Sequence, residues 1–353
     1  MASNNDSVIL TALSTYIDQI SAKKILSEIV LTGHTNMLVS KMPNVKFGQT
    51  IPVITSNLVI TQASSGIFSP TGSVTLSQQT LQVCDLMSQE FIPLNGANTL
   101  EQYWTNNTMT SGSTYDSLTP KIFASVYVSD KTNKLQDFIE FIEWQGVGAA
   151  GSTYSSLPPY DPTQCTGFLY QLEQTGASAS IVTTTFSSTT FNTPQPQYST
   201  TADAISILDN LYAVIPTNLK DQPDLVAFMS YANFTRYTTA LRNKNFTLNN
   251  LNPLLPGFPG QSINDAQAIS VAWNVQHPGT NLRVVATSGL SGCDNKIVIG
   301  PAKNFWFGYD SDKDSTSFRI WKSEDMNAIL FRALFKAGTQ VAYPQYCVVA
   351  TGK

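Results

Sequence analysis

The chain has 353 residues, 42% of them hydrophobic, so it is long enough for about two ordinary domains with real cores. Only 12% of the residues are charged, the formal net charge is −4, and no run of Lys or Arg occurs. Because neutralising phosphates needs a concentrated basic face, this balance argues against a dedicated nucleic-acid binder. Ser, Thr, Asn and Gln occupy the places that charges normally fill, and such a surface suits contact with other protein.

The N-terminal segment has the pattern of an amphipathic helix. Between Asp6 and Leu31, apolar residues recur at approximately helical spacing, namely Ile9, Leu13, Tyr16, Ile17, Ile20, Ile25 and Ile29. Alone, such a segment cannot bury its apolar face. We therefore expect it to lie against the body of the protein or against a neighbouring subunit.

Two strand-like stretches follow, at Lys46–Ile60 and Ser73–Val83, and the sequence ASSGIFSPTG lies between them. Long strands joined by a Gly-, Ser- and Pro-containing tip predict an extended hairpin. Apolar side chains at a projecting tip are unusual for a solitary monomer, so Gly66, Ile67 and Phe68 are predicted to contact another subunit. The alternative is that the side chains of Ile67 and Phe68 fold back onto the hairpin itself.

The stretch from Thr119 to Gly146 carries helix signals at both ends. Thr119 can cap a helix, Pro120 suits the first helical position, and Gly146 is a natural stop. An apolar stripe of Ile122, Phe123, Val126, Leu135, Phe138, Ile139 and Ile142 is predicted to face the protein, with Lys131, Lys134, Asp137 and Glu140 in water. As one helix it would be about 40 Å long. The pattern equally allows a short strand at Ile122–Val128, a turn at Ser129–Asn133 and an ordinary helix.

The second half alternates helices with short strands. Thr200–Ile215 is predicted to be a helix, Leu225–Met229 a buried strand, and Tyr231–Arg242 a second helix capped by Ser230. Strands are predicted beyond it at Ala268–Val275, Leu282–Ala286, Lys296–Ile299, Phe305–Gly308, Phe318–Trp321, Ile329–Lys336 and Gln340–Val349. The pattern predicts an α+β fold.

Motifs for catalysis or metal binding do not occur. The only two histidines, His34 and His277, lack an acidic or cysteine companion at metal-ligand spacing, so both are predicted to be hydrogen-bonded loop or surface residues. The sequence contains no nucleophile elbow, no P-loop and no HExxH motif. We therefore predict no enzyme activity, no cofactor and no metal.

Cysteine usage and hydropathy point to an intracellular protein. Cys84, Cys165, Cys293 and Cys347 form no CxxC pair, and all four are predicted to be free thiols. No secretion signal begins the chain, and no run of about eighteen apolar residues could span a membrane. We expect a soluble protein that is kept inside a cell or released by lysis, with no membrane partner.

Several segments together resemble a known family. They are IEWQG at Ile142–Gly146, CTGFLYQLEQ at Cys165–Gln174, TADAISILDNLYAVIP with LVAFMSYANFTRYTTALRN, KIVIGPAKNFWFGYDSD, and IWKSEDMNAILFRALFKAGTQVAYP. In this order, over most of the chain from Ser73 onward, they resemble the major capsid proteins of tailed double-stranded-DNA bacteriophages. That family has the Hong Kong 97-type fold, and the resemblance favours the single long helix at Thr119–Gly146.

The resemblance implies a domain organisation. It comprises an N-terminal arm at residues 1–45, an extended two-stranded loop at 46–90, and a peripheral domain with a long spine helix at 91–148. An axial domain with a small mixed sheet follows at 149–315, and closing strands of the peripheral domain lie at 316–353. The short stretch ahead of the hairpin leaves little room for a removable scaffolding segment, so a separate scaffold or none is implied.

The resemblance also implies a function. The chain would be a structural shell subunit that self-assembles into hexamers and pentamers of an icosahedral head enclosing double-stranded DNA, without base-specific binding. A portal would be a partner, as would a scaffold or decoration protein. The protein would be assembled in the host cytoplasm and reside in the virion.

Two alternatives come from other classes. Ser/Thr richness would suit a tail-tube or adhesin-like β protein, although the amphipathic helices argue against it. An enzyme with an unrecognised site is the other alternative, for example one that pairs Cys293 with His277.

Overall fold

The computed structural model describes residues 33–57, 59, 72–93, 119–149, 160–173, 180–183, 204–243, 274–310, 317–323 and 328–351. Its first half contains β1 (Ser40–Pro43), β2 (Gly48–Asn57), β3 (Ser73–Gln82), β4 (Cys84–Pro93), α1 (Thr119–Gln145), α2 (Phe168–Glu173) and β5 (Ser180–Thr183). Its second half contains α3 (Ala204–Val214), α4 (Thr217–Lys220), β6 (Leu225–Ser230), α5 (Tyr231–Asn243), β7 (Asn274–Gln276), β8 (Arg283–Thr287), β9 (Lys296–Pro301), β10 (Phe305–Tyr309), β11 (Ser317–Ser323), β12 (Ala328–Val341) and β13 (Val348–Thr351). The predicted α+β class is confirmed.

Helix α1 is continuous over 27 residues. At a rise of about 1.5 Å per residue it spans about 40 Å, so the single spine helix is confirmed and the strand at Ile122–Val128 is wrong. Leu135, Ile139 and Ile142 are buried, as the apolar stripe predicted. Tertiary packing of this stripe outweighs the local β preference of the residues near its start.

The polar side of α1 departs in part from the prediction. Lys134 and Asp137 are exposed, but Glu140 is only 3% exposed. Thr35 and Ser288 cover Glu140 and donate backbone N–H groups to its carboxylate. Lys131 is also largely covered, because its ammonium lies 2.5 Å from the carboxylate of Glu90 on β4.

The first sheet is built around the long strand β12. Its strand order is β1-β10-β12-β11, and β4 pairs with β12 over ten residue pairs. All neighbours of β12 are antiparallel to it, whereas β1 runs parallel to β10. Helix α1 lies against this sheet. The buried residues of the sheet include Leu86, Phe331 and Phe335.

Strand β12 corrects the prediction of two separate strands at Ile329–Lys336 and Gln340–Val349. The structure has one strand of 14 residues, and the break falls after it, before the short strand β13. Gly338 resembles a turn signal in the sequence, but it lies inside β12. Glycine is needed there because a Cβ would clash with the backbone carbonyl of Gln82. A glycine within a strand often marks a place where another backbone approaches closely, and here that backbone is the one at Gln82.

The second sheet is a mixed six-stranded sheet of order β5-β13-β9-β6-β8-β7. Strands β5 and β13 are parallel, as are β6 and β8, and the other pairs are antiparallel. Every residue of β6 is buried, as predicted for Leu225–Met229, and α5 packs on β6 and β8. The predicted cap of α5 is confirmed, since the Asn233 backbone N–H donates to Ser230 Oγ at 3.2 Å.

The core centres on Trp144, which lies at the end of α1 and is fully buried. Its ring lies 5.3 Å from Phe168 of α2, 4.9 Å from Phe228 of β6 and 6.0 Å from Phe305 of β10, centroid to centroid. These aromatic rings join the spine helix to strands of both sheets. The IEWQG segment therefore lies where the layers meet.

The cysteines are not all free. Cys84, at the start of β4, and Cys165, just before α2, form a disulfide with a Cα–Cα distance of 5.9 Å, so the prediction of a free thiol is wrong for both. Cys293 and Cys347 are free and buried, as predicted. Because 81 residues separate the bonded pair, sequence spacing could not reveal that the fold brings them together.

Some predictions fall outside the described residues. They include the amphipathic segment at residues 6–31 and the hairpin tip. The domain boundaries at 45, 90, 148 and 315 stay a prediction, and each sheet combines strands from more than one of the proposed units. Strand β10 joins the first sheet, and β13, near the C-terminus, joins the second.

Candidate functional site

The hairpin of β2 and β3 is the most solvent-exposed pair of strands among those whose side-chain burial is described. The two ten-residue strands pair antiparallel from Gly48 opposite Gln82 to Asn57 opposite Ser73. Most of their residues are exposed. Since an isolated two-stranded ribbon is marginally stable in water, its outer half needs support from elsewhere.

The base of the hairpin is fixed to the first sheet by apolar packing. Ile51, Val53 and Leu81 share one face of the ribbon and are buried. Leu81 fits against the space left by Gly308 on β10, where a Cβ would clash with the leucine side chain. The base is therefore part of the subunit's own core.

Polar contacts add to this anchor. The hydroxyl of Tyr343 accepts a hydrogen bond from the Ile54 backbone N–H at 3.2 Å. On β12, the Lys336 ammonium donates to the Lys46 carbonyl at 3.1 Å, lies 3.2 Å from the Asp85 carboxylate, and sits 5.0 Å from the centre of the Phe47 ring. These contacts fix the direction in which the hairpin leaves the body.

The opposite face of the ribbon carries apolar side chains in water. Ile54, Val74 and Leu76, here called the hairpin apolar face, are 57%, 65% and 75% exposed. They lie on one side because Ile54 pairs with Leu76, and Val74 pairs with Ser56 two residues further along. The sequence signal for this face is the pair Val53–Ile54, which places apolar residues on both sides of one strand.

A second surface lies beside the spine helix. A groove of about 430 Å³ runs between β4, α1 and β12, and we call it the spine groove; its apolar walls include Leu135, Phe138, Tyr160, Phe331 and Phe335. Met87 and Phe91 on β4 are also exposed. The salt bridge between Lys131 and Glu90 lies at the wall of the groove.

The predicted contact residues Gly66, Ile67 and Phe68 lie outside the described residues. The structure describes the strands that lead toward them, up to Asn57 and from Ser73. The tip contact therefore remains a prediction.

Both histidines take part in hydrogen bonds, as predicted. His277 is completely buried, its Nδ1 lies 2.8 Å from the Tyr237 hydroxyl, and its Nε2 lies 2.8 Å from Asp209 Oδ1. His34 Nδ1 lies 2.5 Å from the Tyr231 hydroxyl. Sequence spacing missed Asp209 as the acidic companion of His277, because 68 residues separate the two.

The proposed pairing of Cys293 with His277 is not supported. Both ring nitrogens of His277 are already engaged by Tyr237 and Asp209. Burial raises the pKa of the Cys293 thiol to about 12, whereas an activated cysteine nucleophile requires a lowered pKa. The arrangement stabilises the core and does not activate a thiol.

Metal-ligand clusters and membrane-spanning helices do not occur within the described ranges. There, no group of three or more His, Cys, Asp or Glu side chains could hold a metal ion. No helix among them is long and apolar enough to cross a membrane. The features that stand out are exposed apolar surfaces.

Comparison with known proteins identifies the fold. No protein-family model and no curated protein matches the chain. Among solved structures, a chain of the satellite phage P4 procapsid including size determination (Sid) protein is 14% identical, with a TM-score of 0.57, covering 94% of this chain and 91% of that one.

Two further phage structures agree. A chain of Mycobacterium phage Ogopogo is 12% identical, with a TM-score of 0.51 and coverage of 91% of this chain and 92% of that one. A chain of Gordonia phage Cozz is 13% identical, with a TM-score of 0.50 and coverage of 91% and 86%. At such low identity the likeness establishes the fold alone, and the chain has the phage capsid fold of the Hong Kong 97 type that its sequence resembles.

Proposed function

We propose that this protein is the shell subunit of a phage or phage-like particle, and that it works by self-association and not by turnover. The observation that carries the proposal is the capsid-type fold over nearly the whole chain, matched to a procapsid structure over 94% of its length. The hairpin apolar face supports it independently, because Ile54, Val74 and Leu76 lack a covering surface within the described subunit.

The hairpin is proposed to lie on a neighbouring subunit. Its base is anchored through Leu81 and Tyr343, so its direction is fixed before assembly. Its outer half has too little area to bury its apolar residues alone, and a neighbouring copy supplies the missing surface. Gly66, Ile67 and Phe68 at the tip would extend this contact.

The assembly is proposed to be an icosahedral head of hexamers and pentamers. It would enclose double-stranded DNA without base-specific contacts, in keeping with a net charge of −4 and the lack of Lys or Arg runs. A portal, and a scaffold or decoration protein, would be further partners. Assembly in the host cytoplasm is proposed from the resemblance alone, because the Cys84–Cys165 disulfide removes the support that four free thiols would have given. The subunit would be found in the virion.

The competing function is a tail-tube or adhesin-like protein, which would form tubes or fibres. The fold match to a procapsid structure covers 94% of this chain, and it favours the shell. Sedimentation velocity and native mass of the purified full chain test the choice. We expect a fast, homogeneous species of many subunits; a monomer alone, under conditions of pH and salt that span assembly, would contradict the proposal.

A further inference from the structure

The spine helix carries an unusual pair of buried carboxyl groups. Glu140 is 3% exposed and Glu143 is fully buried. They lie one helical turn apart on α1, against the turn at residues 33–39 that leads into β1. Their hydrogen-bond partners differ in kind, and this difference indicates their protonation states.

Glu140 is surrounded by donors. The Thr35 and Ser288 backbone N–H groups donate to its two oxygens, each at 3.2 Å, and the hydroxyls of Thr287 and Ser288 also reach it. Such a set suits an ionised carboxylate, which can only accept hydrogen bonds.

Glu143 has one donor and one orphaned oxygen. Asn36 Nδ2 donates to Glu143 Oε1 at 2.6 Å. The other carboxyl oxygen, Glu143 Oε2, and the amide oxygen, Asn36 Oδ1, are both buried without a hydrogen-bond partner in the described protein. Two acceptors cannot satisfy each other, but a proton on Oε2 turns the carboxyl into a donor and closes a cyclic acid–amide pair.

The charges around Glu143 also favour the neutral acid. Burial, and the negative charge of Glu140 on the same helix, raise its pKa well above the ordinary value, against the opposing effects of Asn36 and of Lys41 from β1. Lys41 is the cation of the described residues that opposes this shift, and burial lowers its own pKa. His34 faces Glu140, and burial lowers its pKa as well. Thr287 and Ser288 bring only neutral groups.

We propose that Asn36 and Glu143 form a proton-operated latch, in which a proton held between Glu143 Oε2 and Asn36 Oδ1 fastens residues 33–39 to the spine helix. The latch lies within one subunit and does not depend on the proposed shell function. A divalent cation is a poorer occupant than a proton, because calcium takes about six to eight oxygens and the site offers two free ones.

The direction of the pH effect follows from linkage. The pKa of Glu143 is higher in the latched state than in the opened state, where it is that of an ordinary Glu. The latch is therefore at full strength below the ordinary pKa of Glu and weakens as the pH rises through the latched-state pKa. Between the ordinary Glu pKa and the latched-state pKa, the hydrogen-exchange protection of residues 33–39 falls by up to about tenfold per pH unit. Above the latched-state pKa it levels off.

Hydrogen exchange of the purified full chain tests the latch. The reporters are the amides of Met37, Leu38 and Val39, which donate to Gly33 and Thr35 carbonyls within the turn. After correction for intrinsic exchange, wild-type protection should fall with rising pH. Glu143→Gln copies the protonated acid with a permanent donor, so its protection should be independent of pH.

Glu140→Gln is the matched control. The glutamine would place its amide N–H₂ group against the N–H and O–H donors that surround Glu140, and two donors cannot bond each other. The hydrogen-exchange protection of residues 33–39 should therefore be low at every pH. A direct measurement needs no variant: the side-chain carboxyl carbon of Glu143, followed by NMR, should titrate well above the pH at which an exposed Glu titrates.

Three results would each overturn the proposal. The first is the same pH dependence in Glu143→Gln as in wild type, and the second is a Glu143 carboxyl that titrates like an exposed Glu. The third is protection that calcium or magnesium restores at high pH and a chelator removes, which would assign the site to a metal ion.

Discussion

Ile54 and Leu76 lie directly opposite each other in the β2–β3 ladder, and both side chains are more than half exposed. Their mutual contact is a cross-strand pair, which contributes about 0.2–1 kcal/mol to the hairpin. The rest of their apolar surface faces solvent and is not buried against the described part of the subunit. The pair therefore adds little to the stability of the subunit, and substituting it tests the proposed assembly contact without disturbing the fold.

The first prediction concerns this pair. Ile54→Asp should leave the melting curve of the subunit nearly unchanged, within about 1 kcal/mol, because the side chain is solvated before assembly. It should abolish assembly, since a charge would enter the buried contact. Thr55→Asp on the other face of the same strand is the matched control and should assemble. Sedimentation of the wild type, Ile54→Asp and Thr55→Asp measures whether each protein assembles. A wild-type sedimentation profile for Ile54→Asp would mean that this face is not a contact between subunits.

The tip provides a second, separate prediction. Phe68→Asp should prevent assembly while the subunit keeps its circular dichroism spectrum, at a cost of several kcal/mol per contact, repeated at every subunit of a symmetric shell. Ser69→Asp is the polar neighbour for comparison. Intact shells from Phe68→Asp would show that the side chain is not buried between subunits. An unfolded product would place Phe68 in the subunit's own core.

Gly338 should respond abnormally to substitution. Gly to Ala in a strand normally stabilises by about 0.5–1 kcal/mol. At Gly338 the new Cβ would meet the backbone carbonyl of Gln82, which cannot rotate aside, so Gly338→Ala should destabilise by about 1–3 kcal/mol. Gly48→Ala is the control, because its Cβ would meet Thr80 and Leu81 only at ordinary contact distances. Equal urea midpoints for the two variants would refute the close approach.

The disulfide makes a prediction about thiol counts. Denatured but unreduced protein should expose two reactive thiols, those of Cys293 and Cys347, and four after reduction. Replacing both Cys84 and Cys165 by Ser should lower the free energy of unfolding by about 2–4 kcal/mol. Reduction of the wild type should bring its stability down to that of the variant. Four reactive thiols before reduction would show that the pair is not bonded.

Local patterns predicted much of the fold. The buried strand β6 and the Ser230 cap of α5 follow from short-range signals, namely an apolar run and a capping residue before a helical stripe. The spine helix needed more than its pattern, because β-branched residues near its start equally favour a strand. The resemblance of its IEWQG end to a family decided that case.

The errors share a physical cause, which is contact between distant parts of the chain. Gly338 resembles a turn until the Gln82 carbonyl beside it is known. Glu140 resembles a solvated residue until Thr35 and Ser288 cover it. The Cys84–Cys165 bond and the Asn36–Glu143 pair also join residues that no local spacing connects. Of the candidate site, the hairpin could be predicted from alternation, but its exposed apolar face required the register of the two strands.

Electron microscopy of the purified full chain tests the central claim most directly. Negatively stained particles should be closed shells with hexameric and pentameric clusters on their surface, formed from this chain alone or with a scaffold protein supplied. Small particles of one or a few subunits under all such conditions, or open tubes and fibres, would contradict the claim that this protein builds a capsid.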